Sequence, residues 1–193
     1  RLGLESLPGG IASPERVGKL AGTVGTVRAY LSAYYSSVLF NTENFPLANQ
    51  IYNQTVDLAD RLSEADQAQI YTLISFGTGH FPAEQVEKLY RKSQEYFQRV
   101  GDRWSVAMTM LVYVIYAQYT QFDMELARQL CQESLDLFKE LGDRVGMVFS
   151  LNNYAALCYS LGEYAAVKRL SHESLELCRA LNDRWRTATA LLN

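Results

Sequence analysis

Val100-Gly101-Asp102-Arg103-Trp104, Leu141-Gly142-Asp143-Arg144-Val145 and Leu181-Asn182-Asp183-Arg184-Trp185 are three versions of one junction. Asp143 follows Asp102 by 41 residues, and Asp183 follows Asp143 by 40. Gly or Asn tolerates the left-handed conformation that ends a helix. The Asp behind it can accept a backbone N–H and begin the next helix. Each junction therefore reads as a helix stop joined directly to a helix start. A recurrence of this length marks a repeated supersecondary unit, so the fold is read from the period outward.

The helix ahead of each junction carries the same stripe. Ala127, Leu130, Cys131, Ser134, Leu137, Phe138 and Leu141 recur forty residues later as Val167, Leu170, Ser171, Ser174, Leu177, Cys178 and Leu181. Earlier copies are Val86, Leu89, Tyr90, Ser93, Tyr96, Phe97, Val100, and Ala48, Ile51, Tyr52, Thr55, Leu58, Ala59, Leu62. Steps of three, four and seven trace one buried helical face. The small residues Ala48/Val86/Ala127/Val167 and Thr55/Ser93/Ser134/Ser174 predict points where neighbouring helices approach closely.

A second helical stretch precedes each striped helix, at about 26–41, 64–79, 102–119 and 143–161. Asn44-Phe45-Pro46 and Gly162-Glu163-Tyr164 are read as turns within a unit. Met110 to Tyr116 (MLVYVIY) is β-prone alone, but the repeat register assigns it to a helix. The expected units are 26–63, 64–101, 102–142 and 143–182, with a fifth beginning at 183. Residues 1–25 fall outside the repeat as a linker or the edge of a preceding unit. Ser13-Pro14-Glu15 there reads as a helix start, while Gly18, Gly22 and Gly25 oppose a helix interior.

Composition narrows the function. The 193 residues are 48% hydrophobic and 20% charged, with a formal net charge of −3. No basic run marks a phosphate-binding face, so direct nucleic-acid binding is not expected. Three cysteines without a CxxC pair, and only two histidines, do not form a zinc or disulfide framework. Free thiols suit a reducing compartment, and no signal peptide or membrane-spanning run is read. The chain starts at Arg1 and stops at Asn193 inside an apolar helical pattern, which is read as a fragment of a longer protein.

In the unit at 143–182, Leu151, Tyr154, Ala155, Cys158, Gly162, Tyr164, Val167, Ser174 and Leu175 stand at landmark positions of a helix–turn–helix repeat. On these residues the chain resembles the tetratricopeptide repeats. The period of 38 to 41 exceeds that family's ~34, and the closing proline is missing from every unit. Longer units ending in Gly-Asp-Arg resemble the repeat arms of large bacterial transcription activators and signal-transduction ATPases. The resemblance implies an all-α fold, an α-solenoid of antiparallel helix pairs forming a right-handed superhelix over 26–193. It also implies a cytoplasmic setting in a larger regulator.

Tyrosine is abundant, at 13 residues, mostly in the first helix of a unit, and core packing is expected for about half of them. Carried over unit by unit, the family's concave binding face falls on Tyr30, Ala33, Ser37 and Asn41, then on Tyr71, Ser75 and Thr78. It continues through Thr109, Val112, Tyr116 and Tyr119 to Asn152, Ala156 and Tyr159. Tyr and Asn suit such a face, giving contact area at low entropic cost together with hydrogen-bonding tips.

No catalytic constellation can be assembled. Gly18-Lys19-Leu20 lacks the spacing and the hydroxyl of a P-loop. His80 falls in a turn and His172 on a polar helix face, neither is read as having an Asp, Glu, Cys or His partner at i+3 or i+4, and no metal or cofactor is expected. Glu133/Glu173 and Asp136/Glu176 align as a solvated surface rather than an acid–base pair. The expected function is a non-enzymatic scaffold that binds a protein or peptide segment. Alternatives are a small-molecule effector sensor and a structural, self-associating array. The last of these includes a homodimer through the terminal apolar face of Trp185, Ala188, Leu191 and Leu192.

Overall fold

The computed structural model describes residues 31–32, 45–75, 83–118 and 123–181. Seven α-helices lie among them: α1 Phe45–Ala59, α2 Glu64–Ile74, α3 Ala83–Arg99, α4 Arg103–Tyr116, α5 Met124–Leu141, α6 Arg144–Ser160 and α7 Tyr164–Ala180. The described residues contain no strand, and Met110 to Tyr116 is helical, as the repeat register predicts. Among the described residues, no helix is long and apolar enough to cross a membrane. Residues 1–25 and the Asn182-Asp183 junction lie outside the described residues.

The junctions work as their residue types dictate. Gly101 and Gly142 adopt φ of 70° and 66°, and Gly162, inside a helix pair, adopts 74°. Each closes its helix with the same two bonds. Asp102 N–H donates to Phe97 O at 2.8 Å, Asp143 N–H to Phe138 O at 3.0 Å, and Glu163 N–H to Cys158 O at 2.9 Å. The glycines donate to carbonyls three residues back, completing a Schellman closure. Asp102 then caps α4 by accepting from Ser105 N at 3.1 Å. Asp143 caps α6 by accepting from Val145 N and Gly146 N at 3.0 and 3.1 Å.

Phe45 and Pro46 are the first residues of α1 rather than a turn. Proline is tolerated there because the first turn of a helix has no intrahelical use for its missing N–H.

The chain divides into two compact units, Arg1–Gly77 and Thr78–Asn193. In the first, α1 packs on α2 through buried Ala48, Tyr52, Ala59, Ile70, Tyr71 and Ile74. Ser63 caps α2 by accepting from Asp66 N at 3.2 Å. In the second, each helix packs on the next from α3 to α7, and α4 also meets α6.

The predicted stripe is the inner face of α3, α5 and α7. Val86, Ala127, Ser93, Ser134 and Ser174 are fully or almost fully buried. Their hydroxyls are satisfied locally or across helices. Ser93 donates to Leu89 O at 3.0 Å, the Ser134 and Ser150 hydroxyls meet at 2.6 Å, and Ser174 donates to Asn152 Oδ1 at 2.7 Å. A buried hydroxyl left unpaired would cost about 1–3 kcal/mol. The stripe's last positions depart from expectation, because Val100 and Leu141 are exposed. They sit where the glycine turns the chain away from the packed face.

Trp104 ties one junction to the next. Its indole N–H donates to Asp143 Oδ2 at 2.6 Å, and its ring stands edge-on to Phe138 at 6.4 Å. Arg103 pairs with Glu140 beside it.

Candidate functional site

Fourteen residues define the concave face read from the sequence. Tyr30, Ser37, Asn41, Thr78 and Tyr119 lie outside the described residues, as does Ala33 beside them. Tyr71, Ser75, Thr109, Val112 and Tyr116 are buried, so in this structure they are packing residues and not a contact surface. The Tyr71 hydroxyl donates to the Asp60 carboxylate, and Ser75 Oγ donates to Tyr71 O at 2.6 Å. Thr109 Oγ1 reaches Val106 O at 2.8 Å and accepts the buried Gln94 amide at 2.7 Å.

For Thr109, Val112 and Tyr116 the reason lies in α4. Its sequence, RWSVAMTMLVYVIY, is apolar around its whole circumference, and such a helix is enclosed by neighbours. Ser105 to Thr109 and Leu111 to Val114 are buried, together with Tyr116. The Tyr113 and Tyr90 rings stack at 4.0 Å with planes 6° apart, and Tyr113 meets Tyr116 at 5.3 Å. Burial pushes the Tyr90 and Tyr113 hydroxyls up to about 12.

Three expected residues remain reachable, all on α6. Asn152 and Ala156 are half-buried, and Tyr159 is exposed. They are spaced four and three apart, on one face. Ser174 occupies Asn152 Oδ1, which leaves Nδ2 as the donor end of the amide.

Tyr159 does not stand alone. Its ring meets that of Tyr164 edge to face at 6.0 Å with planes 72° apart. Tyr159 is 64% and Tyr164 67% exposed, with Leu161 between them at 37%. Leu161 and Tyr164 were not among the expected site residues. The available signal was a second tyrosine five residues on, across a Gly-Glu turn. Assigning binding positions to the first helix alone passes over it.

The turn beneath these rings is anchored. Arg128 on α5 grips Glu163 with a two-pronged bond, Nη1 to Oε2 at 3.2 Å and Nη2 to Oε1 at 2.7 Å. The guanidinium's hydrogen bond holds the Glu163 carboxyl below the usual carboxylate range. At the neighbouring corner, Gln118 in the π-helical turn after α4 donates to Ser160 Oγ at 2.8 Å.

Reactive chemistry is muted here. Burial pushes the Cys131 thiol up to about 12. Burial and then the Glu163 carboxylate raise Cys158. A thiol held neutral is a poor nucleophile, and Cys131, Cys158 and Cys178 are free and buried. His172 Nδ1 lies 3.8 Å from Glu176 Oε1 along the exposed face of α7, which corrects the expectation that His172 has no acidic partner at the i, i+4 spacing. Among the described residues, no group of three or more His, Cys, Asp or Glu is placed to hold a metal ion. What the exposed group offers is contact chemistry: two ring faces, two phenol hydroxyls, an aliphatic side chain and a carboxamide. No protein-family model matches this chain, and no curated protein matches it.

Proposed function

We propose that the chain is an interaction module of stacked, tetratricopeptide-like helix pairs, an α-solenoid, that docks a peptide or protein segment of mixed apolar and polar character. The observation that carries this reading is the Tyr159–Leu161–Tyr164 group. Tyr52, Tyr71, Tyr113 and Tyr116 are packed inside, whereas these two rings stand open beside an aliphatic residue. Exposed tyrosines supply large contact area at the loss of only two side-chain torsions. Asn152 and Ala156 extend the same face along α6 towards its N-terminal end. The partner-binding face of this reading is thus centred on the α6–α7 turn. A larger cytoplasmic regulator is the setting proposed for the module.

The test is capture from native extract with the purified chain as bait, beside a Tyr159→Ser/Tyr164→Ser variant. Both rings are exposed, so the variant keeps its helical circular dichroism. A protein bound by the wild type and lost from the variant is the expected result. Equal capture by both would refute this face. Tyr116→Ala is unsuitable as a probe, because emptying a buried aromatic site costs about 3–5 kcal/mol and would report on folding.

A further inference from the structure

Glu163 stands immediately before α7 just as Asp123 stands before α5, forty residues earlier. Asp123 uses its carboxylate locally and accepts from Leu126 N at 2.9 Å. Glu163 makes no side-chain cap bond to its own helix, and both of its oxygens go to Arg128 on α5. The carboxylate is diverted from capping to bridging. Glu163 adjoins Tyr164 in the chain, and its N–H is bonded to the carbonyl of Cys158, the residue before Tyr159. A single residue therefore ties the backbone at both rings to a different helix pair.

We propose that the Arg128–Glu163 pair is a latch that positions Tyr159 and Tyr164 for docking. Both latch residues are positioning residues, with the rings making the contact. This inference rests on the docking role proposed above for the two rings. A guanidinium–carboxylate fork fixes orientation as well as distance. The paired side chains remain 31% and 41% exposed. Salt screens charges open to solvent, so the presentation of the rings weakens as ionic strength rises.

Ring-to-ring cross-relaxation in NMR spectra of the 193-residue chain reports the aromatic contact without any partner. The Arg128→Gln variant loses the Tyr159–Tyr164 cross-peak, and the charge-swapped Arg128→Glu/Glu163→Arg variant regains it. Arg91→Gln, which breaks the Glu87–Arg91 pair on α3, leaves the cross-peak in place. A cross-peak that survives in Arg128→Gln overturns the latch. So does one that is lost in both Arg128 variants, because the ring contact would then depend on something other than the pairing. Failure here is separate from failure of capture, since no partner enters the measurement.

Discussion

Asp143 serves three donors with two oxygens. One oxygen accepts the first free N–H groups of α6, and the other accepts the Trp104 indole from the preceding junction. Asp143→Ala removes a helix cap worth about 1 kcal/mol and a charge-assisted bond worth about 1.5–3 kcal/mol. The expected loss is about 2–4 kcal/mol in urea unfolding. Trp104→Phe keeps an aromatic ring against Phe138 but removes the N–H together with part of the indole's bulk, so its loss combines the same bond, about 1.5–3 kcal/mol, with lost packing. Because the two residues share one bond, the double variant loses less than the sum of the singles. Strict additivity would show that the indole bond contributes nothing to coupling the junctions.

At the scale of helices, the crossing of α5 and α6 depends on an absent side chain. A Cβ at Gly146 would lie 2.2 Å from the Phe138 ring, which is itself fully buried and flanked by Trp104. Alanine would raise helix propensity by about 1 kcal/mol, but overpacking costs about 1–3 kcal/mol. With the ring unable to withdraw, Gly146→Ala is expected to destabilise by about 1–2 kcal/mol, read as a lower thermal midpoint. Placed on a Phe138→Leu background, the same substitution should turn stabilising. A stabilising effect in the native background would contradict the close crossing.

Across the second unit, buried weak acids set an alkaline limit. Cys131, Tyr90 and Tyr113 are each pushed up to about 12, chiefly by burial. In the unfolded chain they ionise at ordinary values, about 8.5 for a thiol and about 10 for a phenol. Their folded values lie above the unfolded ones, so this stability is complete below the unfolded values. It drains away as pH rises towards the folded ones. The thermal midpoint should hold near neutrality and fall between about pH 9 and 11, the thiol acting first and the phenols later. Cys131→Ala should flatten the early part of that fall. A midpoint constant through this range would mean that these groups reach solvent in the folded state.

How much of the molecule was legible follows from the range of each interaction. The junctions could be read because Gly142, Asp143 and the bonds around them are made within a few residues of one another. The stripe of Ala127, Leu130, Ser134 and Phe138 could be read because one helical period reveals one buried face. Carrying the resembled family's concave positions over onto α4 assigns Thr109, Val112 and Tyr116 to a groove. Periodicity cannot single out an open side on a helix that is apolar all round, and the packing of α3, α5 and α6 against it is set by residues far away in the chain. Tyr164 was legible as a turn landmark but not as a contact. Its exposure depends on how α7 leaves the Gly162 turn and on the grip of Arg128 from another helix pair.

The most direct measurement of the central claim is site-specific photo-crosslinking with p-benzoylphenylalanine placed at Tyr159 and, separately, at Tyr116. The account predicts a crosslink from position 159 to a discrete segment of one partner in native extract, and none from buried position 116. Crosslinking from neither position, or from 116 alone, would contradict a docking face built on the α6–α7 turn.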